Sequence, residues 1–178
     1  MTAAAYVPIT DQERVQSYIR ALVSPAALFG AALSAGVGQW RDVPPEWHQG
    51  AAGYGSRFAS SLAEHVVQES ILSGTAAVLS EDPRYIRSGG SGFRPRFKYA
   101  LAETVMAQSR EGRRRVSWSK IGALAGGAFL SRRWQPPSTA HPRSGLTSLA
   151  ASAGAAAGFN VAHEFLPRLF RLSFLTLE

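Results

Sequence analysis

His65 and Glu69 stand four residues apart in a stretch of helical periodicity and so share one helix face; Glu64 and Glu103 can approach from the same or a neighbouring helix. Imidazole and carboxylate groups meeting between helices are the donors of a transition-metal site. His65, Glu69 and Glu103 are therefore the candidate metal ligands. A di-iron bundle, however, needs Glu-x-x-His repeats, and the chain has none. Hydrogen-bonded groups in the interior or at a helix rim describe the same residues better than a metal site does. His163-Glu164, near the end of the last apolar stretch, reads as helix-end electrostatics.

Other chemistry lacks its signatures. There is no Gly-x-Ser-x-Gly elbow, no Walker loop and no Gly-x-Gly-x-x-Gly turn, and SGGSG at 88–92 does not join a strand to a helix. No catalytic residue and no cofactor is expected, which points away from an enzyme. Arg113, Arg114 and Arg115, with Trp118 nearby, could grip phosphates and stack a base, but a solvated basic turn explains them too, and no nucleic-acid-binding signature accompanies them. Nucleic acid is not an expected partner.

The 178 residues suffice for one domain with a core, and the chain divides into an amphipathic N-terminal helix at 1–23 and a single helical domain at 24–178. The net charge is +7, carried almost wholly by arginine, since Lys98 and Lys120 are the only lysines. Arginine suits planar recognition of phosphate or carboxylate, so lipid headgroups and acidic proteins are candidate partners. With no cysteine, disulfides and thiolate metal sites are excluded. The N-terminal stretch lacks the basic start and long apolar core of an export signal.

Thr10 and Glu13 form a capping-box pattern that opens a helix over 11–22, and Ser24-Pro25 opens a second to about residue 39. RDVPPEWHQG is a loop. Tyr54, Phe58, Leu62, Val66 and Ile71 then mark a long helix over 50–79. EDPRYIRSGGSGFRP is an extended connection, and Phe97, Leu101, Val105 and Met106 predict a helix ending near residue 108. An alternative for that region is a basic β-hairpin made by FKYALAETVMAQ and RRRVSWSKIG. Ser117 caps a helix over 118–133, QPPSTAHPRSG is a linker, and a last helix covers 146–165, where Pro167 ends or kinks it. The expected fold is all-α, a compact bundle of five to six helices with small-residue contacts.

Those contacts are written as small residues four apart: Gly30, Ser34 and Gly38; Gly122 and Gly126; Gly154 and Gly158 with Ala150 and Ala162. Such spacing leaves a bare groove where a second backbone can approach, as in membrane helix pairs, though an alanine-rich core with tight crossings uses it too. Spanning a bilayer takes about 20 apolar residues. The runs 21–40 and 144–162 are nearly that long, while 121–131 is about half. The loop 41–49 is net acidic and 81–98, 110–120 and 132–143 are basic, so crossings by every helix would put strong positive charge on both sides. The expectation is instead a domain that lies on or dips into a membrane, or docks on a membrane-protein partner or a second copy. Arg113, Arg114, Arg115, Arg132 and Arg133, with Trp118 and Trp134, are its expected contacts to an anionic surface.

The blocks GAAGYGSRFASSLAEH, SEDPRYIRSGGSGFRPRFKYAL, RVSWSKIGALAGG and GFNVAHEFLP, in this order, resemble a family of uncharacterised bacterial proteins over about residues 25–167. The resemblance implies a cell-envelope setting and brings no activity, cofactor or partner. Members carry an export signal ahead of this region and a histidine directly before Glu-Asp-Pro-Arg-Tyr; here Ser80 takes that position and the signal pattern is missing. It also marks Asp82, Arg84 and Tyr85 as a structural corner, or alternatively a binding one, in which Pro83 fixes the turn, Asp82 bonds backbone amides and Arg84 pairs with a carboxylate. The leading expectation is a non-enzymatic, membrane-associated structural or accessory subunit. The competing one is a soluble helical ligand- or metal-binding domain, enzymatic in one version, using the His65, Glu69 and Glu103 region.

Overall fold

Helix starts follow the local chemistry. In this computed structural model, which describes residues 6–166, Thr10 Oγ1 accepts from the Glu13 amide and Glu13 Oε2 accepts from the Thr10 amide, opening α1 (Asp11–Leu22). Ser24 caps and Pro25 begins α2 (Pro25–Trp40). A 3₁₀ turn at Pro45–Trp47 leads to the 29-residue α3 (Gly50–Val78). After α4 (Phe93–Ala102), Ser117 Oγ accepts from the Lys120 amide to start α5 (Trp118–Leu130), which tightens into a 3₁₀ turn at Ser131–Arg133. Pro142 begins α6 (Pro142–Phe165), four residues earlier than the apolar pattern suggests. Pro167 lies outside the described residues.

The fold is the expected all-α helical bundle, and it carries one small sheet. β1 (Glu81–Asp82), β2 (Met106–Ser109) and β3 (Arg114–Val116) are antiparallel in the order β1-β2-β3, so the hairpin alternative holds for 106–116. α4 therefore ends at Ala102, not near residue 108. Two turn hydrogen bonds, from Thr104 N to Leu101 O and from Val105 N to Ala102 O, redirect the backbone there. Gly112, with φ of 73°, makes the hairpin turn, a left-handed conformation that glycine adopts without steric cost.

α3 is the central element. α1, α2 and α5 pack on it, while α6 packs on α5 and α4. The N-terminal helix set apart in sequence at 1–23 is tied to this centre by Tyr18 Oη and Ser70 Oγ, 3.0 Å apart, and by Arg14 Nη1 donating to Glu81 O. Along α3/α5 the approach is close: a Cβ at Gly126 would overlap Ile71 Cδ1, and one at Gly127 would overlap the Gln68 side chain. Gly122 is in ordinary contact with Ile71, and Gly38 sits against Val43 O and the Arg57 stem. Ser34 Oγ accepts from Ser61 Oγ at 3.1 Å. Gly30, Gly154 and Gly158, also expected at helix crossings, border open space instead: Gly30 lines a cavity between α2 and α6, and no element of the described chain covers the faces at Gly154 and Gly158.

Gly53 lies where the loop 41–49 folds back, and a Cβ there would overlap the backbone oxygen of His48. Backbone cannot swing aside as a side-chain tip can. Gly53→Ala is expected to cost about 1–3 kcal/mol of stability as an overpacking change. Gly154→Ala should instead gain up to about 1 kcal/mol by helix propensity alone. Denaturant unfolding of the two variants in mild detergent checks the opposite signs.

Burial is distributed unusually. Among the described residues the buried hydrophobic side chains are all alanines, from Ala31 to Ala128, while Arg57, Glu81, Asp82, Glu103 and Glu164 are buried charges. Large apolar side chains face outward: Phe29 is 67% exposed and Trp40 85%.

Candidate functional site

Two sites emerge from this packing: a set of buried ion-pair anchors and a cavity. In the first, Glu81 is held at the N-terminus of α5. Its Oε2 accepts from Ser117 Oγ, Ser119 Oγ and the Ser119 amide, and its Oε1 from the Trp118 amide. Burial alone would raise its pKa, but these donors hold it below the usual carboxylate range. The adjoining Asp82 accepts from the Arg84 amide at 3.1 Å, from Arg84 Nη2 at 2.6 Å and from Tyr6 Oη at 3.1 Å. The corner marked by Asp82, Arg84 and Tyr85 is thus closed on itself through Asp82. Tyr85 leaves it to donate to Glu164 Oε2 at 2.8 Å.

Glu164 is the larger hub. It also accepts from Ser88 Oγ and Arg96 Nε, each at 2.7 Å, and Arg87 and Arg96 donate to its carbonyl. Burial would raise its pKa, yet the bonds from Arg96, Ser88 and Tyr85 bring it down to about 2. The reading of His163-Glu164 as helix-end electrostatics is corrected accordingly: Glu164 is 1% exposed and clamps the 85–96 connection to α6. Arg57, 3% exposed, does the same for loop 41–49, donating to the carbonyl oxygens of Val43, Pro44 and His48 and to Gln39 Oε1 at 2.7–2.9 Å.

The second site is an open-sided cavity of about 850 Å³ between α2 and α6, floored by α3 and α5. Side-chain hydrogen bonds border its two ends: Ser34 with Ser61 and Arg132 Nη2 with Ser148 Oγ at one, Asn160 Nδ2 with Thr104 Oγ1 beside Lys120 at the other. Polar groups on the floor are Glu64, His65, Gln68, Glu69 and Lys120. Burial raises the pKa of Glu64, opposed by Arg132 at 3.8 Å, and raises that of Glu69, opposed by His65. Burial lowers the pKa of Lys120, whose Nζ donates to the carbonyls of Glu103 and Met106 while Glu103, Asp82 and Glu81 pull the other way.

His65, Glu69 and Glu103 all border this cavity, but they do not assemble as ligands. His65 Nε2 bonds Ala21 O at 3.0 Å, and Glu103 pairs with Arg114 Nε at 2.6 Å. Among the described residues no group of three His, Asp or Glu side chains is placed to hold a metal ion. Tyr99, stacked under the Arg114 guanidinium at 4.6 Å, is pushed up to about 12 by burial and by Glu103.

The expected anionic-surface residues divide. Arg113 and Arg133 are exposed, and Trp118 is 65% exposed. Arg114 is committed to Glu103, and Arg115 donates to Leu79 O. Arg132 is largely buried, donating to Ala128 O, Thr139 O and Ser148 Oγ, so it is an internal brace, not a surface contact. Trp134 Nε1 donates to Ser60 Oγ at 3.0 Å. Glu81, Arg57 and Gly127 were not singled out from sequence, and Glu164 was read only as a helix-end group; Ser117-x-Ser119 at a helix start was a sign that an acceptor could dock there. No protein-family model, no curated protein and no solved structure matches this chain.

Proposed function

We propose that this chain is a non-enzymatic, membrane-associated structural or accessory subunit of the bacterial cell envelope, embedded through α2. One observation carries the reading. The segment Asp11–Trp40 is 30 residues long, is apolar enough to cross a membrane by length and composition, and has only 11% of its most apolar window buried in the described fold. In water that surface costs free energy in proportion to its area; in lipid it does not. An interior of alanine, glycine and satisfied polar groups suits the same setting, where close backbone approach replaces the hydrophobic drive between helices. Arg113, Arg133 and Trp118 are then available at the rim for headgroups, and the uncovered faces at Gly154 and Gly158 for a partner helix or a second copy.

In membranes from cells expressing the full chain, high salt and alkaline wash should leave the protein in the pellet and detergent should release it. Leu33→Glu in α2, an exposed position, should move it towards the soluble fraction without unfolding it. A chain found monodisperse in the detergent-free supernatant, with no binding to anionic vesicles at low salt, overturns the proposal.

The cavity favours a second reading, a helical ligand-binding domain. It uses His65 and Glu69 but not the Glu103 carboxylate, which Arg114 occupies.

A further inference from the structure

The cavity between α2 and α6 has the volume of a small-molecule site. Alanine is the commonest residue of its walls, with Leu72 and Leu124 inside and Phe29, Leu33 and Phe159 exposed around the opening. That lining suits a hydrocarbon chain. The polar floor decides what the other end of such a molecule must be.

Each charged group on the floor but one is already answered. Glu64 faces Arg132 at 3.8 Å and receives Gln68 Nε2 at 3.5 Å. Glu103 holds Arg114, and two of the three Lys120 N–H groups go to backbone carbonyls. The His65 Nε2–H is directed to Ala21 O. Glu69 meets no hydrogen-bond donor among the described residues, since the imidazole of His65, one turn before it, is bonded to Ala21 O. A half-buried carboxylate without donors is costly, and a ligand that brings N–H groups removes that cost.

We infer that this cavity binds an amphiphile with a primary ammonium head, the head donating to Glu69 and the hydrocarbon tail lying between α2 and α6. An ammonium with N–H donors fits better than a quaternary one, since Glu69 lacks hydrogen bonds and not only a counter-charge. An anionic amphiphile is disfavoured because the floor group left without a donor is the acid Glu69, while two of the Lys120 N–H groups already go to backbone carbonyls. The inference rests on the ligand-binding reading and is independent of membrane attachment.

The test is calorimetric titration of the full chain, in neutral-detergent micelles with a micelle-only blank, with octylammonium, 1-octanol and octanoate. Octylammonium should bind saturably and at least tenfold more tightly than octanol or octanoate. Glu69→Gln, which breaks no hydrogen bond of the fold, should remove that preference while leaving the unfolding midpoint in place. Gly30→Leu should abolish binding of all three, because a Cβ at Gly30 meets nothing within 4 Å and the added side chain can fill the cavity. Octanol binding as well as octylammonium, or an unchanged preference in Glu69→Gln, overturns the ammonium assignment while leaving the ligand-binding reading. Absence of any saturable binding, or binding untouched by Gly30→Leu, overturns both.

Discussion

Glu164→Ala is expected to lose about 3 kcal/mol of folding stability in denaturant titrations, among the largest effects of any single substitution here. The carboxylate accepts from Arg96, Ser88 and Tyr85, all in the 85–96 connection, so its removal leaves those donors facing an alanine. Arg96 is 26% exposed and can partly rehydrate, which places the loss at the lower end of the range for breaking a buried pair. The same group gives the fold a pH dependence of known sign. Its folded pKa of about 2 lies below the ordinary 4.5, so its stabilisation is fully present above about pH 4.5 and is lost as pH falls towards 2. That shift corresponds to roughly 3 kcal/mol. Glu164→Gln should therefore differ from the parent chain at neutral pH and converge with it near pH 2; a constant difference across that window would show that the carboxylate charge is not what Arg96, Ser88 and Tyr85 hold.

Arg57→Ala is expected to cost about 3–5 kcal/mol and to expose the loop 41–49 to proteolysis. The guanidinium satisfies the carbonyls of Val43, Pro44 and His48 and fixes Gln39 at the end of α2. Asp42, at 3.5 Å, is 53% exposed and adds little. Arg57→Lys should not rescue, because one ammonium cannot reach carbonyls spread around a planar fork. Limited proteolysis and denaturant unfolding of the alanine and lysine variants read this directly. Equal stability of the lysine variant and the parent would mean that charge, and not the fork, holds the loop.

Helix starts were legible because a cap is a local event: Thr10, Ser24 and Ser117 announce α1, α2 and α5 within three residues of sequence. Of the sheet, only the β2-β3 hairpin was an open alternative and β1 was not foreseen, since Glu81–Asp82 and Arg114–Val116 are too short to show a period of two, and Val105 and Met106 continue the helical spacing of Phe97 and Leu101 by coincidence of composition. Small residues four apart mark where a backbone can be approached, not whether anything approaches it. Gly126 meets Ile71, while Gly154, in the same pattern, meets nothing. Likewise Arg113, Arg114 and Arg115 are equivalent as letters, but the position of the buried Glu103 commits Arg114 to an ion pair at the surface. Glu164 could not be found from its neighbours, because the groups that define it lie 68–79 residues earlier.

That separation also orders events on the ribosome. Tyr85, Ser88 and Arg96 emerge well before Glu164, and at about 5–20 residues per second several seconds pass before their acceptor is made. Over that interval the cationic 85–96 stretch carries a buried-type donor set with nothing to receive it. A nascent chain arrested short of α6 therefore leaves those donors to water, and the 85–96 stretch is fixed only when Glu164 arrives.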